Sequence, residues 1–340
     1  MKPEFDVITM GEILLRLSAP GNDRLSRGEI FEKHAGGAEL NVASGIALLG
    51  LRTGIISQVP DNPIGHYIRN EMRFNGVSDD YLLFDSSPEA RLGLYYYENG
   101  AYPRQPGVFY DRNDTSFQKI NPDDLPEDLY TKTRLFHFSG INLALGDEIR
   151  ESTIEIMKRF KQAGAAISFD VNFRGNLWSG EEARTVIEPL LPMIDFFFCS
   201  EDTARLTFGM EGTLKEIQKN FAEQYGIKVI ASTKRTVKSP MHHDFTSSIY
   251  SAANDSYYEE DPYKNIEVVD RIGSGDAYVA GALYGWLSSH NPRRALEIGN
   301  AFSAIKNTIP GDLPSSELEE VERVIELHHQ HGGYIPEMSR

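Results

Sequence analysis

Short runs of β-branched and aromatic residues alternate with longer amphipathic segments along this chain, and this alternation limits the possible folds more than any other feature. The runs predict buried strands at residues 5–10, 53–59, 135–139, 166–170, 196–200 and 228–232. The amphipathic segments predict helices at residues 41–49, 148–163, 276–287 and 317–329. Because alternating strands and helices are typical of βα units, we expect an α/β fold with a mainly parallel sheet.

The sequence contains no internal repeat, low-complexity tract or Pro-rich linker, so we expect one domain over residues 1–340. Two stretches interrupt the alternation, at about 14–35 and 88–114, and both are extended, aromatic and rich in turn residues. In the second stretch, predicted strands at 92–97 and 108–110 flank Asn99-Gly100, which is a hairpin signal. The stretches form either a lid over a ligand at the carboxyl ends of the core strands or an ordinary edge hairpin.

The charge and cysteine content narrow the class of protein. The chain has 34 basic and 50 acidic residues, a formal net charge of −16. This excess of negative charge predicts neither nucleic acid nor a membrane as partner, although a local group of arginines could still bind an anionic substrate. The single cysteine, Cys199, cannot form an internal disulfide. The lack of an internal disulfide, the polar N-terminus and the lack of a long apolar run together predict a cytoplasmic protein.

A glycine-rich turn that opens a helix of small residues is the strongest chemical signal in the chain, and it reads Gly273-Ser274-Gly275-Asp276. Such a turn exposes backbone N–H groups at the positive end of a helix, where they can hold a phosphate. A carboxylate beside this anion site can accept a proton from an attacking hydroxyl, which would make Asp276 a general base. The alternative is a capping turn in which Asp276 only satisfies the helix N-terminus.

A second element lies far upstream, at residues 36–41, and reads Gly-Gly-Ala-Glu-Leu-Asn. Together and in this order, the two elements resemble the paired signatures of the ribokinase/PfkB carbohydrate kinases. The resemblance extends over nearly the whole chain and implies a ribokinase-like three-layer α/β/α core, a small β-sheet lid, and ATP and Mg²⁺ as cofactors. No P-loop, Rossmann or protein-kinase motif is present in the sequence to compete with this interpretation.

The resemblance implies roles for residues in both elements. Asp276 would be the base for the primary hydroxyl of a sugar, and the amides of its turn would hold the transferring phosphate. The catalytic set that it implies is Gly273, Ser274, Gly275 and Asp276, and the sugar-binding set from the upstream element is Gly37, Ala38, Glu39 and Asn41.

Three local features are most similar to the 2-keto-3-deoxygluconate (2-dehydro-3-deoxygluconate) kinases of the family. They are the 36–41 element, the lid segment 108–112 (Val-Phe-Tyr-Asp-Arg) and the strand-end segment 170–174 (Asp-Val-Asn-Phe-Arg). The further substrate-binding residues that this similarity implies are Tyr95, Tyr110, Arg112 and Arg174. A substrate with a carboxylate calls for guanidinium donors, which agrees with the two arginines. The alternative for the second arginine is a salt bridge with Asp170.

The nucleotide side departs from the family pattern. Arg271 stands where the family has a small hydroxyl residue, and Thr203 stands at a glutamate position, with Glu201 or Asp202 as the available substitutes. Residues 232–239, expected as the nucleotide loop, lack the usual glycines. The cofactor-binding residues that the resemblance implies are Asn172, Thr233, Arg235, Arg271, Gly273, Gly275 and Asn300. No protein ligands of the metal are assigned.

These features predict a kinase that phosphorylates 2-keto-3-deoxygluconate at its 6-hydroxyl with ATP and Mg²⁺. The alternatives are another sugar kinase of the family, such as a fructokinase or a 5-dehydro-2-deoxygluconate kinase, and a non-catalytic sugar-binding homologue. The preference between the gluco and galacto epimers stays open. Because an exposed aromatic lid face often finds a partner, we expect a homo-oligomer.

Overall fold

Two β-sheets form the framework of the computed structural model, which describes residues 3–331. Their strands are β1 (Phe5–Met10), β2 (Leu14–Ser18), β3 (Glu32–Gly36), β4 (Thr53–Pro60), β5 (Val77–Ser78), β6 (Leu82–Asp85), β7 (Gly93–Glu98), β8 (Gly107–Asp111), β9 (Thr133–Ser139), β10 (Ala166–Asp170), β11 (Phe196–Phe198), β12 (Val229–Ser239), β13 (His242–Ser251), β14 (Ser256–Glu259) and β15 (Tyr263–Glu267). Eleven of them form the central sheet, and β2, β3, β7 and β8 form a smaller one.

The middle of the central sheet is parallel. Strands β5, β4, β1, β9, β10, β11 and β12 lie side by side in that order, and β6 also pairs with β4. The antiparallel strand β13 extends the sheet beyond β12, and β14 and β15 both pair with β13. All six residues of β1 are buried, as expected for a parallel strand covered on both faces. The carboxyl ends of the parallel strands therefore meet along one edge, where ligands bind in such sheets.

Helices cover both faces of the central sheet. They are α1 (Ala38–Leu48), α2 (Pro63–Phe74), α3 (Gly140–Ala144), α4 (Asp147–Gln162), α5 (Gly180–Ile187), α6 (Glu201–Phe208), α7 (Leu214–Tyr225), α8 (Ser274–Ser289), α9 (Pro292–Lys306) and α10 (Leu318–His331). Short 3₁₀ turns lie at Ser116–Lys119, Pro122–Asp124, Glu127–Thr131 and Glu188–Met193. Among residues 3–331, no helix has the length and apolar character needed to cross a membrane.

Three apolar clusters fill the space between the sheet and these helices, and the smallest of them packs α2 against β4. Val7 belongs to the cluster with α1, α8 and α9, and its neighbour Ile8 belongs to the cluster with α4, α5 and α7. Helices α8 and α9 lie unusually close, because a Cβ at Gly281 would be 2.8 Å from the carbonyl oxygen of Ile298. This packing holds the N-terminus of α8 at the carboxyl edge of the sheet.

The smaller sheet has the order β3, β2, β7, β8, in which β2 and β7 are parallel and the other two pairs are antiparallel. Its side chains alternate between two faces. Tyr95 and Tyr97 are buried with Leu14 on the face toward the core. Tyr96 lies on the opposite face, where its ring contacts Phe31. The sheet therefore presents one face to the core and an aromatic surface to solvent.

The predicted α/β/α fold with a mainly parallel sheet is confirmed, but two segments differ from expectation. Residues 232–239 do not form a loop, because β12 continues through them and pairs with β13 as far as Ser239 and His242. The resemblance to the family implied a loop here, yet β-branched residues such as Thr233 and Val237 suit an exposed outer strand. The hairpin β7–β8 is closed by residues 99–106, so Asn99-Gly100 begins a long connection instead of forming a two-residue turn.

Candidate active site

A cavity of about 350 Å³ lies between the smaller sheet and the carboxyl edge of the central sheet. It is lined by Glu12, Leu14, Gly37, Ala38, Glu39, Asn41, Tyr95, Tyr110, Arg112, Ile141, Asp170, Asn172, Arg174, Arg235, Arg271, Ile272, Gly273, Ser274, Gly275, Asp276 and Asp312. The cavity therefore brings together the glycine-rich turn, the upstream element, two tyrosines of the smaller sheet and four arginines. Two predicted site residues, Thr233 and Asn300, are not part of this lining.

The turn at the start of α8 has the geometry of an anion site. Gly273 has a φ of +78°, and a Cβ there would lie 2.0 Å from the carbonyl oxygen of Asp312, so only glycine fits. The Ser274 N–H donates to the carbonyl of Arg271 at 3.3 Å. A Cβ at Gly275 would meet no protein atom within 4 Å, so this backbone is open to the cavity. The first amides of a helix have no carbonyl one turn earlier, and they can therefore bind an anion.

Asp276 lies directly beside this anion site, in the first turn of α8. Its Oδ2 accepts a hydrogen bond from Nδ2 of Asn41 at 2.7 Å, which joins the turn to the upstream element on α1. Burial is the main cause that raises the pKa of Asp276 to about 6, whereas Asn41, Arg174 and Lys306 lower it. The carboxyl group is therefore ionised at neutral pH and still basic enough to accept a proton.

Two further carboxyl groups lie near Asp276. Burial, with a smaller effect of the Asp276 charge, raises the pKa values of Glu39 and Asp170 to about 7 each. Glu39 Oε1 accepts from the Ser139 N–H at 2.9 Å, and a Cβ at Gly11 would collide with the Glu39 carboxyl group. Like charges in one buried site raise each other's pKa. Of the three carboxyl groups, Asp276 has the lowest pKa, about 6.

Arg112 lines the cavity but is already paired. Its Nε donates to Oε2 of Glu12 at 2.8 Å, and its Nη2 contacts the same oxygen. Thr115 Oγ1 donates to the other Glu12 oxygen at 2.5 Å. Both charged side chains are buried, so the pair fixes the guanidinium plane while leaving Nη1 for a ligand.

Arg174 is exposed and forms no ion pair with a carboxylate of the described residues. The salt bridge with Asp170, which the sequence left as an alternative, is not formed. Asp170 instead accepts from the backbone N–H of Asn172 at 3.0 Å. Asn172 lies in the cavity wall with a positive φ of 39°, which directs the chain sharply after β10. Arg174 is therefore available to a ligand anion.

A buried charged network attaches the smaller sheet to the core. Arg16 on β2 pairs with Asp270 at 2.7 Å and with Asp312 at 3.0 Å. The Tyr95 hydroxyl donates to Oδ2 of Asp312, and the Arg16 guanidinium lies over the ring of Tyr97 at 4.2 Å. Removing one partner of such a network leaves an uncompensated buried charge. The segments on both sides of the α8 turn are thus tied to the strands that cover the cavity.

The residues expected on the nucleotide side fall into three groups: five line this cavity, Thr233 lines a smaller one, and Asn300 lines neither. Arg235 and Arg271 lie in the cavity wall, and burial, followed by the Arg271 charge, lowers the pKa of Arg235. Thr233 lines a smaller neighbouring cavity of about 70 Å³ together with Ser200 and Gly275. Neither arginine forms an ion pair with a described carboxylate, so the part of the chain described here leaves two adjacent cations for an anionic ligand.

Asn300 does not line either of these cavities, and its expected role in binding the cofactor stays a prediction. The side chain is completely buried within the fold. Its Oδ1 accepts from Ser247 Oγ at 2.6 Å, and its Nδ2 donates to Glu260 at 2.8 Å. The contact with Ser247 therefore holds α9 against β13.

Several cavity residues were not selected from the sequence: Glu12, Leu14, Asp170, Ile141, Ile272 and Asp312. Glu12 follows β1 closely, so its position after a central strand was a usable signal. Asp312 lies in an irregular segment between α9 and α10, where no motif marks it. Its contacts with Arg16 and Tyr95 join positions hundreds of residues apart, and only the folded chain reveals them.

The structure contains no preformed metal centre in the described residues, where no three His, Cys, Asp or Glu side chains are arranged to hold an ion. Glu201, one substitute for the glutamate missing at Thr203, pairs with Arg205 at 2.6 Å. The Ser200 hydroxyl caps α6 by accepting from the Thr203 N–H at 3.2 Å.

Comparison with known proteins places the whole chain in one group. Residues 5–317 match the family model described as pfkB family carbohydrate kinase. The chain is 33% identical to the 2-dehydro-3-deoxygalactonokinase of Haloferax volcanii, covering 94% of this chain and 96% of that protein. It is 27% identical to the 5-dehydro-2-deoxygluconokinase of Bacillus licheniformis, with coverages of 94% and 96%. The crystal structure of the Thermotoga maritima 2-dehydro-3-deoxygluconokinase superposes with a TM-score of 0.89 at 31% identity, covering 95% of this chain and 99% of that one.

Proposed function

The chain belongs to the pfkB family of carbohydrate kinases, and from this premise we propose that it phosphorylates 2-keto-3-deoxygluconate at the 6-hydroxyl with ATP and Mg²⁺. Two of the similar proteins are named as kinases of 2-keto-3-deoxy sugar acids, one for each epimer. The galacto epimer is therefore included as a second acceptor. The cytoplasmic location expected from the sequence stays a prediction.

The observation that carries this proposal is the placement of Asp276 at the mouth of the α8 anion site. Its carboxylate would accept the proton of the attacking 6-hydroxyl, while the amides of the α8 turn would stabilise the charge of the transferring phosphoryl group. The hydrogen bond from Asn41 leaves one carboxylate oxygen for that proton. Base and charge-stabilising donors thus belong to one rigid helix terminus, which avoids reorganisation during the reaction.

The arginines support an acid as the acceptor. Arg174 has no carboxylate partner among the described residues, and Arg112 is held in orientation by Glu12. Both line the same cavity as Tyr110 and Asp276. A carboxylate on the sugar would bind Arg174 and the free Nη1 of Arg112, whereas a neutral sugar would offer these donors no anion. The acid group and the reacting hydroxyl would then lie at opposite ends of the sugar.

The site also fits a nucleotide. The open backbone at Gly275 leaves room for a phosphate, and Arg235 and Arg271 offer cations beside it. Thr233 and Ser200 line the adjoining smaller cavity with hydroxyl groups. These residues would hold the triphosphate, and bound magnesium would neutralise phosphate charge. We further propose that the smaller sheet, within residues 14–35 and 88–114, acts as a lid that excludes water from the reaction.

A substrate panel tests the proposed acceptor. Purified protein is assayed by coupled ADP release with both 2-keto-3-deoxy epimers, 5-dehydro-2-deoxygluconate, fructose and ribose. We expect kcat/KM for a 2-keto-3-deoxy acid to exceed that for the neutral sugars by at least ~100-fold, because a neutral sugar offers no anion to Arg174 and to the free Nη1 of Arg112. A preference for fructose or ribose would contradict the proposal. A preference for 5-dehydro-2-deoxygluconate would change the identity of the acceptor, but the acceptor would still be a sugar acid.

A further inference from the structure

Lys306, the last residue of α9, is a buried lysine with no role in the reaction as proposed so far. Its side chain is only 1% exposed and is among the largest fully buried side chains of the described residues. Its Nζ donates to the carbonyl oxygen of Ile309 at 3.1 Å and to that of Asp270 at 3.4 Å. Lysine is rarely buried unless its ammonium group is compensated, so this position calls for a functional reason.

The carbonyl contacts place Lys306 behind the α8 turn. The N–H groups of Val269 and Asp270 donate to the carbonyl of Asn307, the next residue, at 2.9 and 3.1 Å. The Asp270 side chain in turn accepts from the N–H of Gly311 at 3.1 Å. Residues 306–312 therefore pack behind residues 269–273 and are hydrogen-bonded to them. The Lys306 ammonium group is the positive charge at this contact.

Charged groups surround the Lys306 ammonium from several elements. Burial is the largest influence and lowers its pKa, and the Arg16 guanidinium of β2 acts in the same direction. The carboxylates of Asp270, Asp312 and Asp276 favour the charged form. The coupling is mutual, because Lys306 also lowers the pKa of Asp276. An ammonium in a low-dielectric interior acts over longer distances than one in water.

We propose that Lys306 is a positioning residue for phosphoryl transfer, an internal cation that holds residues 270–273 from behind and places positive charge next to the anion site of α8. The inference rests on the proposed kinase function. It assigns to a residue outside the cavity two effects on the reaction: the orientation of the turn that binds phosphate, and the ionisation of the base.

The second effect has a defined sign. The groups that favour the ionised form of Asp276 are Asn41, Arg174 and Lys306, while burial and Asp312 oppose it. The carboxyl groups of Glu39 and Asp170 are coupled to Asp276 as well. Loss of the Lys306 charge would raise the pKa of Asp276 above about 6. Because the base must be ionised, the acidic limb of the kcat profile would move to higher pH.

The test uses Lys306→Met and Lys306→Gln, with Lys161→Met as the matched control. Glutamine keeps a donor for the carbonyl groups but no charge, and Lys161 pairs with the buried Asp195 on the other face of the sheet. We expect both Lys306 variants to lose roughly 10-fold or more in kcat, with the acceptor KM within ~3-fold of wild type. Their acidic limb should move up by about 0.5–1 pH unit, whereas Lys161→Met should keep the wild-type limb.

Two further measurements separate this role from simple loss of structure. Added ammonium or methylammonium should restore part of the kcat of Lys306→Met by entering the vacated space, whereas the larger tetramethylammonium should not. Binding of a non-hydrolysable ATP analogue, followed by calorimetry, should weaken by roughly 5-fold in both variants, because positive charge near the phosphate is lost. Calorimetry needs no turnover, so it also decides the case of a variant with too little activity to assay.

Folded Lys306 variants with wild-type kcat, acidic limb and analogue affinity would overturn the inference. If Lys306→Met does not fold, the result for Lys306→Gln decides in the same way. Failure of the proposed function would look different: the wild-type protein would then turn over another sugar and no sugar acid. The Lys306 comparison would then be made with that sugar, and with analogue binding if no sugar is turned over.

Discussion

Asp276 is the residue on which the proposed reaction depends most directly. Asp276→Asn keeps the size of the side chain and an oxygen that can accept from Asn41, but it cannot take up a proton. We expect kcat to fall by roughly 100- to 10,000-fold, with sugar affinity by calorimetry within ~3-fold of wild type. Asp147→Asn, which alters an exposed ion pair on α4, is the control and should behave as wild type. Near-normal turnover of Asp276→Asn would exclude Asp276 as the base.

The pKa of Asp276 also predicts how activity depends on pH. Its value of about 6 is raised from the ordinary range, so the carboxylate gains protons at a higher pH than a solvated aspartate does. We expect kcat to fall as the pH drops below about 6, because the protonated group cannot act as a base. A kcat profile that stays flat down to about pH 4.5 would show that an unperturbed group, or none, limits the reaction.

Arg174 tests the acid group of the substrate. Arg174→Ala removes an exposed guanidinium that has no carboxylate partner among residues 3–331, so its effect on folding should be small. We expect kcat/KM for the sugar acid to fall by about 10- to 100-fold, as loss of a charge-assisted hydrogen bond implies, with a much smaller effect on a neutral sugar. Arg159→Ala on α4 is the control. An equal loss with acid and neutral sugars would contradict recognition of the carboxylate.

At the scale of single elements, β7 connects the smaller sheet to Asp312, which lies behind the α8 turn, through Tyr95. Tyr95→Phe removes the hydroxyl that donates to Asp312, while Tyr96→Phe alters the opposite face of the same strand. We expect Tyr95→Phe to lower the free energy of unfolding by about 1 kcal/mol and to raise the KM of the acceptor several-fold. Tyr96→Phe should leave both unchanged. Denaturant unfolding and steady-state kinetics on the two variants measure the difference, and identical behaviour would argue against this attachment.

The elements also show what the sequence could predict. The six core strands and the α8 turn were predictable because each depends on local pattern: buried β-branched runs and small residues at a helix start. The outer half of β12 was not, because the resemblance implied a loop at residues 232–239 and long-range pairing with β13 stabilises this polar segment as a strand. The resemblance implied that Asn300 binds the cofactor, whereas its long-range contacts with Ser247 and Glu260 could not be predicted from the sequence.

At the scale of the whole molecule, the site contrasts with the overall charge. The chain has a net charge of −16, yet Arg112, Arg174, Arg235 and Arg271 line one cavity. The fold class could be predicted because the alternation of strands and helices runs along the whole chain. The sugar-kinase family could be predicted because its two motifs occur in a fixed order. The network of Arg16 and Asp312 could not, because it joins β2 to a segment near the C-terminal end that no motif connects.

The outer face of the smaller sheet leads us to propose a homo-oligomer. Phe109 is 60% exposed, and Phe31 is 48% exposed, on a surface groove that Leu25 and Tyr96 also line. Exposed aromatic patches of this kind usually mark interaction surfaces. We expect light scattering to show at least a dimer, and Phe109→Ser to shift it toward monomer, with Phe74→Ser as the exposed control on α2. A monomeric wild-type protein at micromolar concentration would contradict the proposal.

The central claim is transfer of phosphate from ATP to the 6-hydroxyl of a 2-keto-3-deoxy sugar acid. The most direct measurement follows a mixture of the purified protein, ATP, Mg²⁺ and 2-keto-3-deoxygluconate by ³¹P NMR. The account predicts loss of the γ-phosphate signal of ATP and the growth, in equal amount, of a phosphomonoester signal coupled to the protons on C6. The same mixture is then followed with the galacto epimer. Unchanged ATP with both epimers, or a phosphomonoester at another carbon, would contradict the account.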